Sequence, residues 1–211
     1  MAPPEMDSAS KGLKERHEYV FSCPSSFSLS FAVWLVDDYT QKEPLGEVRV
    51  SLKEESIKAV KNLSSYYTFS GLPEGEYTLS VESALYFSEE RVVDTRSFAG
   101  SKEPVVKIIL KPRPLYPFPN RATLIRGLFT ADIGLPEGIT VKATSKSAEW
   151  KIQEVIQGIP DEKGEFVLYF REAIKGKADV VLEIKGEGIE IIVPASVEEG
   201  KSTYTGVISI S

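Results

Sequence analysis

One cysteine, Cys23, and one histidine, His17, occur in the whole chain of 211 residues. A single cysteine excludes an intramolecular disulfide, which tilts the expected compartment toward a reducing one, the cytoplasm. One Cys and one His cannot furnish a structural zinc site. No Ser-His-Asp arrangement can draw on more than His17, and Cys23, followed by Pro24, has no second histidine to activate it. No apolar run is long enough to span a bilayer, and Met1 to Lys14 lacks the apolar stretch of a signal peptide. The net charge is -6, from 25 basic and 31 acidic residues. That balance argues against nucleic-acid binding, which needs clustered Lys and Arg. Glycine-rich phosphate loops are missing, since Gly186 and Gly188 sit in a strand–turn–strand pattern with no helix after them. No loop has the oxygen spacing of a calcium site. The expectation is a protein with no catalytic residues, no metal and no cofactor.

Hydrophobic residues make up 42% and charged residues 27%, enough to bury a core without staples. Met1 to Arg16 is polar and reads as a disordered arm. From His17 the pattern has period two. Phe27, Leu29, Phe31, Val33 and Leu35 are large and apolar, with Ser28, Ser30, Ala32 and Trp34 between them, which places the first set on a core. Asp37 and Asp38 mark a turn in which Asp hydrogen-bonds the local backbone, and as neighbours they point to opposite sides. Val48, Val50 and Leu52 follow, then Tyr67 and Phe69, then a turn at Leu72 to Glu76 into Tyr77, Leu79 and Val81. Two more strands are expected near Arg91 to Asp94 and Val105 to Leu110. Short strands at this spacing signal a sandwich or barrel.

Lys111-Pro-Arg-Pro-Leu-Tyr-Pro-Phe-Pro119 then carries four prolines in nine residues. Proline cannot donate to a sheet ladder, so this is an extended, polyproline-like connector. Lys111, Arg113 and Arg121 around it read as a solvated linker. Tyr116 and Phe118 are too apolar for that role, and their rings are expected to pack into a junction and fix its angle. After it the first pattern returns. Thr123, Ile125 and Gly127 form a strand. Ile139, Val141 and Ala143 match Val48 to Leu52. Phe166, Leu168 and Phe170 match Tyr67 and Phe69. Val180, Leu182 and Ile184 match Tyr77 to Val81, and Ile189 to Val193 and Thr205 to Ile210 close the sheets. The repeat points to duplication. The organisation expected is all-β: an arm over 1–16, two tandem Greek-key-type β-sandwich modules over 17–111 and 121–211, and a proline-rich connector over 112–120. Ser145 to Gln157 reads as a short helix or a strand, and Glu172 to Lys177 as a turn of helix.

The residues Pro44-Leu-Gly-Glu-Val-Arg-Val-Ser-Leu52 and Tyr67-Thr-Phe-Ser-Gly-Leu-Pro-Glu-Gly-Glu-Tyr-Thr-Leu-Ser-Val81 give the first module its character. It resembles the carboxypeptidase regulatory-like domain, a transthyretin-like β-sandwich. The second half keeps Gly134 to Val141 and Gly164 to Phe170 but lacks the Leu-Pro-x-Gly-x-Tyr turn. In that turn Gly75 is expected to need a positive φ. The resemblance implies a fold and is almost silent on function, because such domains serve as spacers, binding modules and enzyme appendages. The lysine and asparagine of the isopeptide crosslink found in some relatives are missing from the expected first and last strands.

Aromatic residues carry the functional hint. Trp34, Tyr66, Tyr86, Tyr116, Phe118 and Trp150 form the candidate interaction surface, because rings that face outward mark contact surfaces. The leading expectation is a structural or protein-interaction protein, a component or adaptor of a larger assembly with a protein partner. The alternative is a carbohydrate-binding module that stacks sugars on Trp34, Trp150 or the tyrosines.

Overall fold

A computed structural model describes residues 28–54, 57–131, 134–145, 156–171 and 176–210. Among these residues the chain is all-β, with one short 3-10 turn at Thr95–Phe98 and no α-helix. Its strands form β-sandwich layers. In the N-terminal half they are β1 (Leu29–Asp37), β2 (Arg49–Leu52), β3 (Ile57–Lys58), β4 (Val60–Lys61), β5 (Tyr66–Ser70), β6 (Glu76–Glu82), β7 (Glu89–Asp94) and β8 (Val105–Leu110). In the C-terminal half they are β9 (Leu124–Ala131), β10 (Thr140–Ser145), β11 (Ile156–Gly158), β12 (Glu165–Tyr169), β13 (Lys177–Gly186), β14 (Ile189–Glu198) and β15 (Ser202–Ile210).

Each half holds two sheets. The first half has the orders β4-β5-β1-β8 and β3-β2-β6-β7, the second β12-β9-β15 and β11-β10-β13-β14. The correspondence reaches the ladders. β1 pairs antiparallel with β5 and parallel with β8, and β9 pairs antiparallel with β12 and parallel with β15. In the facing sheets β6 lies between β2 and β7, as β13 lies between β10 and β14. Strands β3 and β4 are one extended segment that changes sheets at Ala59, pairing first with β2 and then with β5.

Period-two alternation explains the layers, since alternate side chains of each strand enter the space between the sheets. Phe31, Val33 and Leu35 of β1 meet Val50, Leu52, Tyr67, Phe69, Tyr77, Leu79 and Val81 in one core. Ile125 and Phe129 meet Val141, Phe166, Leu168, Val180, Leu182 and Ile184 in the other. Leu29 departs from the expected core face and is 47% exposed, because the β1–β5 register is irregular between Leu29 and Phe31. Gly75 does not adopt a positive φ; the left-handed residue ahead of that turn is Gly71, at φ 70. Gly164 has φ 84, and a Cβ there would lie 2.5 Å from the Phe129 carbonyl oxygen. His17, Cys23 and Trp150 lie outside the described residues, as does most of each expected helical stretch.

Candidate functional site

Strand β1 ends in two aspartates whose side chains leave in opposite directions, as successive strand residues must. Asp37 is in phase with Leu35 and is fully buried. One of its oxygens accepts from the backbone N–H groups of Tyr39 (2.7 Å) and Thr40 (3.0 Å), which is the expected turn chemistry. The other accepts from the hydroxyls of Tyr86 (2.8 Å) and Tyr116 (2.6 Å). The Tyr86 oxygen in turn accepts from the Leu45 N–H at 2.9 Å. A buried carboxylate is tolerated when its lone pairs are filled in this way.

Asp38 faces the C-terminal half. It accepts from the Tyr169 hydroxyl at 2.7 Å and pairs with Arg171 at 3.0 Å. The parallel register explains why both contacts fall at this place. β8 runs beside β1 and sets Leu110 opposite Asp37, so the chain leaves the first half next to the aspartates. The connector is not extended throughout and is solvated only in part: Lys111, Leu115 and Arg121 are exposed, while Pro112, Pro114 and Tyr116 are buried. Pro112 bridges to Tyr86, the Tyr116 N–H donates to the Arg113 carbonyl, and the Arg113 side chain pairs with Glu162 while lying over the Phe87 ring.

Aromatic rings fill the space between the halves. Tyr116 contacts Tyr86 (5.6 Å between centroids) and Phe118 (4.7 Å), and Phe118 contacts Tyr169 (5.6 Å). Tyr39 stands edge-on to Tyr116, Phe118 and Tyr169. Beneath Phe118 and Tyr169 lie the buried Ala122, Leu124 and Val167. Arg126 sits over the Phe118 ring and donates to the Pro114 carbonyl at 2.8 Å. Burial raises the hydroxyl pKa of Tyr86, Tyr116 and Tyr169, with the Asp37 or Asp38 carboxylate adding to the effect. Burial also lowers the pKa of the Arg126 guanidinium. An open cleft of about 440 Å³ lies beside this joint, lined by Tyr39, Arg121, Thr123, Arg171, Glu199 and Lys201 among others.

The expected surface residues divide. Trp34 is 42% exposed on the outer face of the β4-β5-β1-β8 sheet, with the Lys107 Nζ 4.9 Å from its ring centre. Tyr66 lies opposite it in register and is half-buried. Phe118 is half-buried at the joint. Tyr86 and Tyr116 are not surface residues: both are buried, because their hydroxyls converge on Asp37. Asp37, Asp38, Tyr39, Tyr169 and Arg171 were not expected as a joint. Their only local signal is the Asp-Asp pair at the end of an apolar strand.

No family model matches the chain, and no curated protein matches it. Among solved structures it is similar to the Bacillus anthracis TIE protein, at 15% identity and a TM-score of 0.29 over 85% of this chain, and it spans 33% of that protein's length. A candidate cell adhesion protein of Bacteroides fragilis NCTC 9343 gives 8% identity and a TM-score of 0.25 over 78% of this chain and 79% of its own. A leucine-rich repeat protein of Bacteroides thetaiotaomicron VPI-5482 gives 8% identity and a TM-score of 0.22, over 86% and 26%. Likenesses this low carry no argument about this chain. Among the described residues no helix is long and apolar enough to cross a membrane.

Proposed function

We propose that this chain is a non-enzymatic structural and protein-interaction component, built as two tandem copies of one β-sandwich unit and held as a rigid pair. The observation that carries this reading is the joint. Asp37 ties the connector to the first half, Asp38 ties the second half to the same strand end, and Phe118 and Tyr169 pack between them. A plain tether would leave these polar and aromatic groups in water. Binding them fixes the direction in which each unit presents its surface, which suits a spacer or adaptor in a larger assembly. The shared strand order supports duplication of one unit. The Leu72 to Val81 turn and strand, which carry the chain from one sheet to the other, support a carboxypeptidase regulatory-like unit, and the single cysteine suits a reducing compartment.

The carbohydrate reading has less support. Lys107 already lies over the Trp34 ring, and the outward residues of β1, β5 and β8 offer no carboxylate or amide to grip sugar hydroxyls. The test of the leading reading is small-angle scattering joined to spin-label distances between the halves. One narrow distance distribution, broadened by Asp38→Ala, supports a rigid pair. A broad distribution in the unaltered chain rejects it.

A further inference from the structure

Strand β9 carries an arginine among apolar neighbours on the outer face of its sheet. Ile125 and Phe129 point into the core, and a Cβ on Gly127 would meet the Phe166 ring, so Leu124, Arg126 and Leu128 point out of the β12-β9-β15 sheet. The ladders set Val167 and Tyr204 on either side of Arg126, and Glu165 and Val207 on either side of Leu128. The joint closes one end of this face, where Phe118 packs with Leu124, Val167 and Tyr169. The other end is open. Tyr204 is 63% exposed and Val207 57%, and Leu115, next to the Pro114 that accepts from Arg126, is 73% exposed.

Arg126 stands where the closed end meets the open one, with most of its donors free. A guanidinium presents its N–H groups in a rigid fork that matches a carboxylate. One of them, on Nη1, donates to the Pro114 carbonyl, and the Phe118 ring centre lies 5.6 Å from the guanidinium carbon. Nε and Nη2 meet no acceptor among the described residues. Glu165 acts on Arg126 through space without bonding it, and burial disfavours the cation more than Glu165 favours it. A carboxylate that reached Nε and Nη2 would bond both at once and offset that burial.

We propose that the open end of this face binds a partner protein segment that carries a carboxylate beside an apolar side chain, the carboxylate on Arg126 and the apolar group against Tyr204 and Val207. The inference rests on the reading of the chain as an interaction component and names the chemistry of its partner. Glu165 sets negative charge on the β12 side of the face. The outward residues of β15 are Ser202, Tyr204, Val207 and Ser209, and none of them is charged. The carboxylate therefore comes in across β15, away from Glu165. A sheet face encloses too little of a small molecule to hold it, which selects a longer segment that also covers the exposed rings and methyls of β15.

The probe is a pool of capped hexapeptides with glutamate fixed at the centre between leucine, valine or phenylalanine, set against the same pool with glutamine in its place. Nuclear magnetic resonance of the isotope-labelled chain reads the arginine Nε–H signals, the Arg126 signal being the one lost in Arg126→Gln. Circular dichroism confirms that each variant is folded. The site is supported if the glutamate pool shifts the Arg126 signal and binds about tenfold tighter than the glutamine pool, and if Arg126→Gln removes that difference. Tyr204→Ser/Val207→Ser, which touches only exposed side chains, should weaken binding of the glutamate pool with the fold intact. Pools that bind alike or not at all overturn the proposal, and so does a preference for glutamate that survives Arg126→Gln. Acetate that shifts the Arg126 signal at the same concentration as the peptides reduces the site to a general anion contact and overturns the partner. Self-association without peptide that Arg126→Gln abolishes gives the face to a second copy and also overturns it. If the pools fail while the spin-label distances stay narrow, only this site fails and the rigid pair stands.

Discussion

Replacing Asp37 by Asn probes the joint at its centre with almost no change of shape. Asp37 is fully buried and accepts four hydrogen bonds: Tyr39 N–H, Thr40 N–H, Tyr86 O–H and Tyr116 O–H. Asparagine retains one carbonyl oxygen. If it stays with the two backbone amides, its NH2 faces two hydroxyls that were donating. Each lost bond to a charged acceptor is worth about 1.5–3 kcal/mol. Water cannot reach the site to replace it, although the hydroxyls can turn and accept from the new amide. The expected net cost is about 3 kcal/mol, a large share of the roughly 5–15 kcal/mol that holds a domain folded. With an m-value of about 1–3 kcal/mol per molar urea, the midpoint of the first half falls by about 1–3 M. Urea unfolding followed by near-ultraviolet circular dichroism reads this directly. Tyr116→Phe alone is expected to cost about 1.5–3 kcal/mol and to cost much less when Asp37 is already Asn, the coupling of groups in one network. An Asp37→Asn variant within about 0.5 kcal/mol of the parent would refute the argument, being no more than an ordinary surface substitution. So would strict additivity of the two changes.

Asp38→Ala is expected to cost under about 1 kcal/mol, because its partners are partly solvated, while widening the distance distribution between the halves. Alkali should weaken the joint. The pKa values of Tyr86, Tyr116 and Tyr169 are raised above the ordinary 10.0, so their contribution is complete below that pH and declines as pH climbs toward the higher folded values. A pH series of thermal melts with a flat neutral region and a fall above pH 10 is the expected result. Gly164→Ala should cost more than Gly138→Ala. Both have a positive φ, worth about 1–2 kcal/mol to any L side chain, but only Gly164 also sets a Cβ against backbone, while Gly138 faces open space. Gly127→Ala should destabilise by about 1–3 kcal/mol, because its Cβ would lie 2.5 Å from the Phe166 ring and from Thr205 Oγ1; chemical melts of the second half check this.

The layers could be read from the chain because alternation is a local signal. Val33, Leu79 and Leu182 declare their side by their neighbours alone, and all three are buried. The joint could not be read in the same way. Asp37 and Tyr116 are 79 positions apart, and nothing near either names the other. An Asp-Asp pair after a strand is well explained as a turn, and Asp37 does serve that turn with one oxygen. Only the parallel placement of β8 beside β1 brings the connector back to the second oxygen. The same distance problem misplaced Tyr86, which beside Phe87 looks like the outward ring of an adjacent pair until a buried acceptor for its hydroxyl is found. Tyr116 was expected both at the junction and on a contact surface, and the structure places it at the junction. Trp34 was legible as outward because its parity in β1 opposes Phe31 and Leu35.

The parallel first and last strands also decide how each unit bears load. Tension applied through the chain pulls the start of β1 one way and the end of β8 the other, along a ladder from Ala32 opposite Val105 to Asp37 opposite Leu110. The bonds of that ladder lie across the pull and must slide together rather than open one after another. β9 and β15 repeat the arrangement in the second half, up to Ala131 opposite Ile210. A hairpin of neighbouring ends would unzip; these units are built to resist in shear, a geometry suited to a link that must hold its length under force.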